Sequence, residues 1–424
     1  MARLWLHSEP PAGLGLDDFL WREASAGESS LATNLDPELL RFGNVPKANK
    51  DAVALAVLAF LADRTSPRPS TWGRDLSLVL PCHEVNIWTA ATTRAQAMLE
   101  FLTGDAWKLE FVPRRAQPKA LQGPDLDADL VCLFSGGADS LCGAARALSD
   151  GKKVVLLSHW DWAPHAGVQR ELVGALEKLF GIDLAHIQIR LGRRSTQLGD
   201  AGNFADEASR RSRSLLFVTL GLAAASVAGA PLWIPENGYA SLNPPLAPER
   251  RGSLSTRTTH PTFFERLRET LSDAGAYADF RNPFDRSTKG EMFKEIAGDV
   301  GQKKAEKLLG LSHSCAHTRW AGMFGLPPHT QCGVCFGCLV RRAAFKSAGL
   351  NDESSYVVTE LKGAELKRFL APQRRRDIEA VNYAVAKGIN PGDIIGMDLP
   401  TDFPVEQALD LSDRGLAELG ALEA

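Results

Sequence analysis

Apolar segments alternate with segments of helical periodicity through the middle of the chain. The apolar runs DLVCLF, KVVLLSH, HIQIRL and PLWIPENG are separated by stretches in which apolar positions recur at helical spacing. Continuously apolar strands that alternate with helices are typical of a parallel sheet with right-handed crossovers. The pattern predicts an α/β fold with a doubly wound parallel sheet, which binds its ligands at the carboxyl ends of the strands.

The segments on either side of this core lack its regular alternation. Residues 1–125 mix strand-like and helix-like pieces, which predicts an N-terminal accessory domain of α/β or α+β type. The stretch PRRAQPKALQGPDLDAD, rich in proline and charge, predicts a linker to the core at residues 126–350. After residue 350, ELKGAELKRFL and RRRDIEAVNYAVAKG predict a C-terminal helical extension at residues 351–424.

Composition places the 424-residue chain among globular proteins, with 44% hydrophobic and 23% charged residues. The net charge is -3, from 48 basic and 51 acidic side chains, which argues against nucleic acid as a partner. The uncharged stretch from Ser214 to Ile234 is long enough to span a bilayer, but Gly229 and Pro231 divide it into a core helix and a buried strand. We therefore expect no membrane segment, and an N-terminus without a signal-like apolar region predicts a cytoplasmic location.

The turn SGGADS lies between the first apolar strand and the first helix of the core. Such a turn directs backbone N–H groups and the positive end of the helix dipole at the edge of the sheet, where a phosphate can bind. Gly136 and Gly137 allow the phosphate to approach closely, while Ser135 and Ser140 add hydroxyl donors. Asp139 would repel phosphate unless it binds Mg²⁺ or caps the helix. The turn matches neither GxxxxGK[ST] nor GxGxxG, and the alternative interpretation is a glycine-rich turn without a ligand.

Three cysteines with two residues between neighbours form the run QCGVCFGC, at Cys332, Cys335 and Cys338. Each two-residue gap can fold into a tight turn that brings the thiols around one tetrahedral ion. Cys315 is the predicted fourth ligand. The alternatives for this position are His313, His317 and His329. Zinc and an iron–sulfur cluster both fit the spacing, and a structural zinc ion is the favoured prediction.

These motifs carry a resemblance to a known family. SGGADS matches the SGGxDS motif of the PP-loop ATP pyrophosphatases, which have a HUP-like α/β fold and cleave ATP between its α and β phosphates. Together with the cysteine cluster, Arg213 before its apolar helix and the segment RNPFDRSTKGEM, it resembles the 7-cyano-7-deazaguanine synthases, the QueC-like branch of these enzymes. The resemblance covers residues 129–350. The chain also has long extensions on both sides of this region and the segments ENGYASLNPPL and STRTTHP. In these features it resembles the QueC-like proteins of anti-phage defence systems, above all the QatC proteins.

The resemblance implies an ATP-dependent, AMP-forming C–N ligase. It implies that the enzyme adenylates the carboxylate of a 7-carboxy-7-deazaguanine, and that an amine then displaces AMP. The likeness to the defence proteins implies that this amine is the N-terminus of a partner protein from the same operon. The alternatives are synthesis of 7-cyano-7-deazaguanine for queuosine-type nucleosides, with ammonia as the amine, and tRNA modification by an enzyme with the same loop.

The resemblance also implies roles for individual residues. The implied roles are binding of the ATP pyrophosphate by Ser135, Gly136, Gly137 and Ser140, binding of Mg²⁺ by Asp139, and neutralisation of phosphate charge by Arg213 and Lys289. The family's short substrate-binding stretch, DxSGYPDCR, is replaced in this chain by ENGYASLNPPL and the residues after it.

Two further residues follow the fourth apolar strand. Glu236 and Asn237 therefore lie at the ligand edge of the predicted sheet, where they can hydrogen-bond a purine-like edge. Three plainer interpretations stay open. They are an Asn-Gly turn at Asn237, an exposed helix-start lysine at Lys289 and a solvated basic face around Arg213.

Overall fold

The computed structural model describes most of the chain. The described residues are 1–7, 13–22, 28–36, 42–69, 73–114, 126–196, 198, 202–207, 209, 211–246, 257–317, 320–327, 330–363 and 376–422. The centre of the predicted linker and most of the segment ELKGAELKRFL lie outside these residues.

Strands and helices alternate along the described chain, as expected of an α/β protein. The strands are β1 (Ala2–Leu6), β2 (Asp18–Trp21), β3 (Leu31–Thr33), β4 (Asp75–Cys82), β5 (Ala106–Pro113), β6 (Leu130–Leu133), β7 (Val154–Trp160), β8 (Ala185–Arg193), β9 (Leu232–Trp233) and β10 (Phe280–Arg281). The helices are α1 (Lys47–Thr65), α2 (Val85–Ala90), α3 (Thr92–Thr103), α4 (Ala138–Ser149), α5 (Ala163–Phe180), α6 (Arg213–Ala228), α7 (Gly238–Leu242), α8 (Pro261–Asp273), α9 (Lys289–Val300), α10 (Gln302–Leu311), α11 (Trp320–Met323), α12 (Phe336–Ala348), α13 (Arg376–Lys387), α14 (Pro391–Ile395) and α15 (Val405–Gly420).

The N-terminal segment forms a parallel sheet of four strands in the order β2-β1-β4-β5. Buried and more exposed residues alternate along β4 and β5, so that one face of this sheet carries a core. Helix α1 contacts β1 and β4 on one side and α6 on another, and nearly all of its side chains are therefore buried. The sequence predicted an α/β or an α+β type for this segment, and the parallel pairing of its strands identifies it as α/β.

The core contains a sheet of six strands in the order β10-β9-β6-β7-β8-β3. Its first five strands are parallel, and β3 of the N-terminal segment pairs antiparallel with β8. The order reverses between β6 and β9, which opens a crevice at the carboxyl ends of these two strands. This topology is compatible with the PP-loop fold. The domain boundary at residue 125 stays a prediction, although β3 lies before it and extends the core sheet.

Helices cover both faces of the core sheet. On one face Val131 and Leu133 of β6 share a hydrophobic core with α6 and with the N-terminal segment. On the other face Leu130 and Cys132 pack with residues of α4, α5 and α9. Because β6 is buried from both sides, all four of its residues are apolar.

The long uncharged stretch folds as the glycine and proline predict. Helix α6 ends before Gly229, whose φ of 62° is left-handed, and Leu232 and Trp233 then form the short strand β9. No helix in the described part of the chain is long and apolar enough to cross a membrane.

The C-terminal helices pack against elements of the core. Helix α15 contacts α7 and α12, and α13 also packs on α12. Their apolar residues share one core with Tyr239 and Leu242 of α7 and with the four cysteines of the predicted metal site. The C-terminal segment therefore lies directly behind elements that form the ligand edge of the sheet.

Candidate active site

A cavity of about 800 Å³ opens at the carboxyl ends of β6 and β9, where the strand order reverses. Eight residues predicted from the sequence line this cleft: Ser135, Gly136, Gly137, Asp139, Arg213, Glu236, Asn237 and Lys289. Cys315 and Cys335 of the cysteine cluster lie in its wall. The fold therefore gathers residues from distant parts of the chain into one site.

The SGGADS turn connects β6 to α4 in this cleft. Gly136 has a φ of 87°, in the left-handed region that residues with a Cβ rarely adopt. The N-cap residue of α4 is Gly137, which has no side chain to cap the helix, and its own backbone N–H donates to the Ser135 hydroxyl at 3.2 Å. The Ser140 hydroxyl donates to the Gly137 carbonyl at 2.9 Å and lies 3.2 Å from the Ser135 hydroxyl. Ser140 thus shapes the turn from behind, where it is buried.

Asp139 links the turn to two other segments of the site. Its Oδ2 accepts a hydrogen bond from the Lys289 ammonium at 2.5 Å. Its Oδ1 accepts from the backbone and side-chain nitrogens of Asn237 at 3.2 and 3.1 Å. Asp139 therefore does not cap its own helix, which was one interpretation of its place in the sequence.

Glu236 lies beside this ion pair. Burial and repulsion by the Asp139 carboxylate raise the pKa of Glu236 to about 8. Burial lowers the pKa of Lys289, but attraction by and the hydrogen bond to the Asp139 carboxylate outweigh this effect, and the pKa is raised overall. At neutral pH, Glu236 is therefore mostly protonated next to a charged Lys289.

One of the plainer interpretations is wrong. Lys289 begins α9 but is only 5% exposed, which excludes a solvated helix-start lysine. Arg213 lines the cleft, whereas the nearby Arg211 donates to the Thr103 carbonyl of the N-terminal segment at 2.8 Å. Arg213 is only partly buried and Arg210 lies outside the described residues, so the solvated basic face stays an open interpretation.

Asn237 has internal partners for all of its side-chain atoms. Its Oδ1 accepts a hydrogen bond from the Ala240 backbone N–H at 2.9 Å. Asn237 is thus the N-cap residue of α7, and not part of a simple Asn-Gly turn. Its Nδ2 donates to Asp139 and, at 3.2 Å, to Glu236. A hydrogen bond from Asn237 to a purine would have to displace one of these contacts. The role of Asn237 toward substrate stays a prediction.

The carboxylate of Asp139 fits the requirements of Mg²⁺. Mg²⁺ is usually held by one or two carboxylates together with substrate phosphates, and Asp139 lines the cleft. Because Lys289 binds one oxygen of Asp139, the ion and the ammonium group would share this carboxylate. Bound Mg²⁺ would supply positive charge for phosphate groups.

The predicted metal ligands lie together. The thiols of Cys315, Cys332, Cys335 and Cys338 are buried and within 4.8 Å of one another. Three of the sulfur–sulfur distances are 3.8, 4.0 and 3.5 Å, which suits four thiolates at about 2.3 Å from one zinc ion. The backbone N–H groups of His317 and Cys332 donate to the Cys315 sulfur, both at 3.2 Å. This donor set fits zinc.

The cysteine cluster is joined to the SGGADS turn by a hydrogen bond. The backbone N–H of His313, two residues before Cys315, donates to the Gly136 carbonyl at 2.9 Å. Of the histidines considered as alternative ligands, His313 thus contacts the turn, and the ring of His317 stacks on Trp320 at 5.5 Å between centroids. His329 lies outside the described residues.

A glycine permits the close packing of the cysteine cluster. Gly333 has a φ of 86°, and a Cβ at this position would lie 2.3 Å from the Val358 carbonyl oxygen. The chain therefore turns between Cys332 and Cys335 only because residue 333 has no side chain.

Sequence reasoning missed several residues of the cleft. Among them are His159, His165, Thr258, Thr259 and Asp377. His159 lies at the carboxyl end of β7, so that the rule that located Glu236 applies to it as well. Asp377 comes from α13 and accepts a hydrogen bond from the Phe336 backbone N–H at 2.8 Å. Nothing in the sequence indicates this contact, because it depends on how the C-terminal helices pack.

Comparison with known proteins finds relatives for about half of the chain. No family model matches the chain. The 7-cyano-7-deazaguanine synthase of Novosphingobium aromaticivorans is 30% identical over 250 residues, which cover 55% of this chain and 97% of that protein. The synthases of Gloeobacter violaceus and Methanococcus aeolicus are 27% and 24% identical over 245 and 248 residues, which cover 52% and 54% of this chain and 93% and 99% of those proteins. Since about half of this chain matches almost the full length of these relatives, the chain belongs to the 7-cyano-7-deazaguanine synthase family.

Proposed function

We propose that the protein uses ATP to adenylate the carboxylate of a 7-carboxy-7-deazaguanine and transfers the acyl group to an amine. The observation that carries this proposal is the convergence of the SGGADS turn, Arg213, Glu236 and Lys289 on one cleft. Family membership supports a deazapurine as the small-molecule substrate. A carboxylate is a poor acyl donor until it becomes a mixed anhydride, which is why ATP is required.

In the first step a carboxylate oxygen attacks the α-phosphorus of ATP. The bond from this phosphorus to the bridging oxygen breaks, and pyrophosphate leaves with the bonding electrons. The N–H groups of the turn and the Ser135 hydroxyl bind the pyrophosphate, while Arg213 and Lys289 offset its charge. The contribution of these residues is positioning and charge neutralisation, which supply most of the acceleration in such transfers.

In the second step the amine nitrogen attacks the acyl carbon. AMP leaves with the electrons of the acyl–oxygen bond, the nitrogen loses a proton to solvent, and an amide results. The finer proposal is that this amine is the N-terminus of a partner protein in anti-phage defence. The exposed side chains of Met323, Phe324 and Leu326, 69%, 41% and 38% exposed, support a macromolecular acceptor. They lie in the segment that follows Cys315 in the cleft wall.

The second candidate function is synthesis of 7-cyano-7-deazaguanine from the same acid and ammonia. The names of the three relatives favour it. Conversion of a primary amide to a nitrile removes one water molecule, so a second molecule of ATP would activate the amide oxygen. The two functions therefore differ in the number of AMP molecules formed for each product molecule.

We expect the purified protein to form AMP from ATP only when 7-carboxy-7-deazaguanine is present. With ammonia, one AMP per primary amide would indicate the amide ligase, whereas two AMP per nitrile would indicate the synthase. Mass spectrometry of the small molecules measures both ratios. Co-expression with the products of neighbouring genes, followed by intact-mass measurement, identifies a protein acceptor by the added acyl mass.

The matched control substrate is 7-deazaguanine without the carboxyl group, which cannot be adenylated. AMP formed equally with this control, or no AMP with the acid, would contradict the proposed function.

We expect kcat/KM for the deazaguanine acid to rise about tenfold between about pH 7 and pH 9. Burial and the Asp139 carboxylate raise the pKa of Glu236 to about 8, and only ionised Glu236 can accept from both the ring N–H and the exocyclic amine of a guanine-like edge. Below this pKa the protonated form prevails, and substrate binding weakens. A pH profile of kcat/KM measures the effect.

The variant Glu236→Gln should lack this inflection, while Glu295→Gln, on the more exposed part of α9, should keep it. A profile that is the same in Glu236→Gln and the wild-type protein would exclude Glu236 as the titrating group.

A further inference from the structure

Two carboxylates from outside the region that resembles the synthases each reach the start of a helix that forms the cleft. Asp63 belongs to α1 and Glu418 to α15, whereas α6 begins with Arg213 and α9 begins with Lys289. We propose that Asp63 and Glu418 are positioning residues that fix Arg213 and Lys289 in the cleft. This inference rests on the proposed function, which assigns both basic residues to ATP.

Asp63 holds the residue that precedes Arg213. It is fully buried, and its Oδ2 accepts hydrogen bonds from the backbone nitrogen and the hydroxyl of Ser212 at 3.1 and 2.7 Å. Ser212 is the N-cap residue of α6, yet its side chain accepts no hydrogen bond from that helix. The direction in which α6 begins is therefore set by a residue of the N-terminal segment.

Asp63 is itself fixed by a buried ion-pair network. Its Oδ1 accepts from the Arg74 guanidinium at 2.6 Å, and Arg74 also pairs with Asp105 at 2.6 Å. Arg68 contacts Asp105 at 2.7 Å, so that two carboxylates and two guanidinium groups balance one another. Because a buried charge is costly to separate from its partners, Asp63 has little freedom to move.

Glu418 holds the residues on both sides of Lys289. Its Oε2 accepts from the Gly290 backbone N–H at 3.1 Å, and its Oε1 accepts a short hydrogen bond from the Thr288 hydroxyl. A Cβ at Gly290 would lie 2.3 Å from Oε1, so the two helices approach closely at this point. A negative charge at the start of α9 also stabilises the helix through its dipole.

A second contact fixes α15 against α9. Arg414, one turn before Glu418, pairs with Glu291 at 2.5 Å and donates to the Arg286 carbonyl at 3.1 Å. Glu291 in turn completes the capping box of α9 with Thr288. The orientation of Lys289 thus depends on two side chains of the C-terminal helix.

A double-mutant cycle tests whether Glu418 acts through Lys289. We expect Glu418→Ala to lower kcat for AMP formation about tenfold and Lys289→Ala to lower it about 100-fold. The double variant should be no slower than Lys289→Ala alone, because Glu418 then has nothing left to position. A general structural role predicts instead that the two losses multiply, and this result would overturn the proposal for Glu418.

The contact from the N-terminal segment is tested at Ser212, because removal of the buried Asp63 charge threatens folding. Ser212→Ala removes one of the two hydrogen bonds to Asp63 and should lower kcat by about threefold to tenfold, with no further loss in an Arg213→Ala background. The matched controls are Glu406→Ala, exposed on α15, and Ser226→Ala, at the far end of α6, which should leave the rate unchanged.

The affinity for ATP separates failure of this inference from failure of the proposed function. A fluorescent ATP analogue is titrated, without any deazaguanine, into the wild-type protein and into the single and double variants of both cycles. Its dissociation constant then takes the place of kcat in each cycle. If the wild-type protein binds ATP but forms no AMP with the deazaguanine acid, the proposed function fails, and the binding cycles still decide the positioning role. Wild-type ATP affinity in both Glu418→Ala and Ser212→Ala would overturn that role.

Discussion

The substitution Asp139→Asn is expected to lower the rate of AMP formation by about 100-fold to 1,000-fold. The Asp139 carboxylate accepts hydrogen bonds from the Lys289 ammonium and from both nitrogens of Asn237. In an asparagine, one of the two oxygens is replaced by an NH₂ group, which would face one of these donors without being able to accept its hydrogen bond. Lys289 would lose the negative charge that it pairs with, and the proposed Mg²⁺ site would lose its carboxylate. Release of pyrophosphate from ATP in the presence of 7-carboxy-7-deazaguanine measures the rate.

The matched control is Asp150→Asn, at the exposed C-terminal end of the same helix, which should react at the wild-type rate. Because loss of one partner from a buried ion pair costs about 3–5 kcal/mol, chemical denaturation of the variant is measured in parallel. A folded Asp139→Asn variant with wild-type activity would show that this carboxylate is needed neither to hold Lys289 nor to bind Mg²⁺.

The substitution Cys335→Ser is expected to abolish zinc binding and to destabilise the region around α12. A structural zinc site contributes on the order of 10 kcal/mol to folding, which is comparable to the total stability of a typical domain. The backbone N–H of His313 donates a hydrogen bond to the Gly136 carbonyl, and Cys315 and Cys335 line the cleft. ATP binding should therefore be lost as well. Elemental analysis of the purified protein and thermal unfolding measure the two effects.

The control is Cys82→Ala, a buried cysteine of the N-terminal sheet far from the cluster, which should keep one zinc ion per chain. Its own cost in stability should be that of a small cavity, about 1–2 kcal/mol. Iron and acid-labile sulfide in the wild-type protein would favour the iron–sulfur alternative, and full zinc content in Cys335→Ser would exclude Cys335 as a ligand.

Most of the candidate site could be predicted from the sequence, because it rests on short motifs. The SGGADS turn needs Gly136 for its positive φ, and the cysteine run needs Gly333 for a tight turn, and such requirements are visible within a few residues. Glu236 could be predicted because the end of an apolar strand marks the ligand edge of a parallel sheet.

Other features could not be predicted because they arise from contacts between distant segments. A lysine at the first position of a helix is usually solvated, and only the approach of Asp139 explains why Lys289 is buried. Strand β3 has three residues, too few for a periodic signal, and its pairing with β8 joins the N-terminal segment to the core sheet.

The sequence by itself determined the α/β alternation, the glycine turn SGGADS between a strand and a helix, the clustered cysteines and the resemblance to the synthases. These features depend on backbone conformation and hydrophobic periodicity, which act over a few residues to a few turns. Only the tertiary structure decided which charged groups face one another. These arrangements raise the pKa of Glu236 and bring Asp63 and Glu418 into contact with the starts of α6 and α9. Electrostatic energies depend on the distance between charges and on their burial, and neither quantity exists until the segments are packed together.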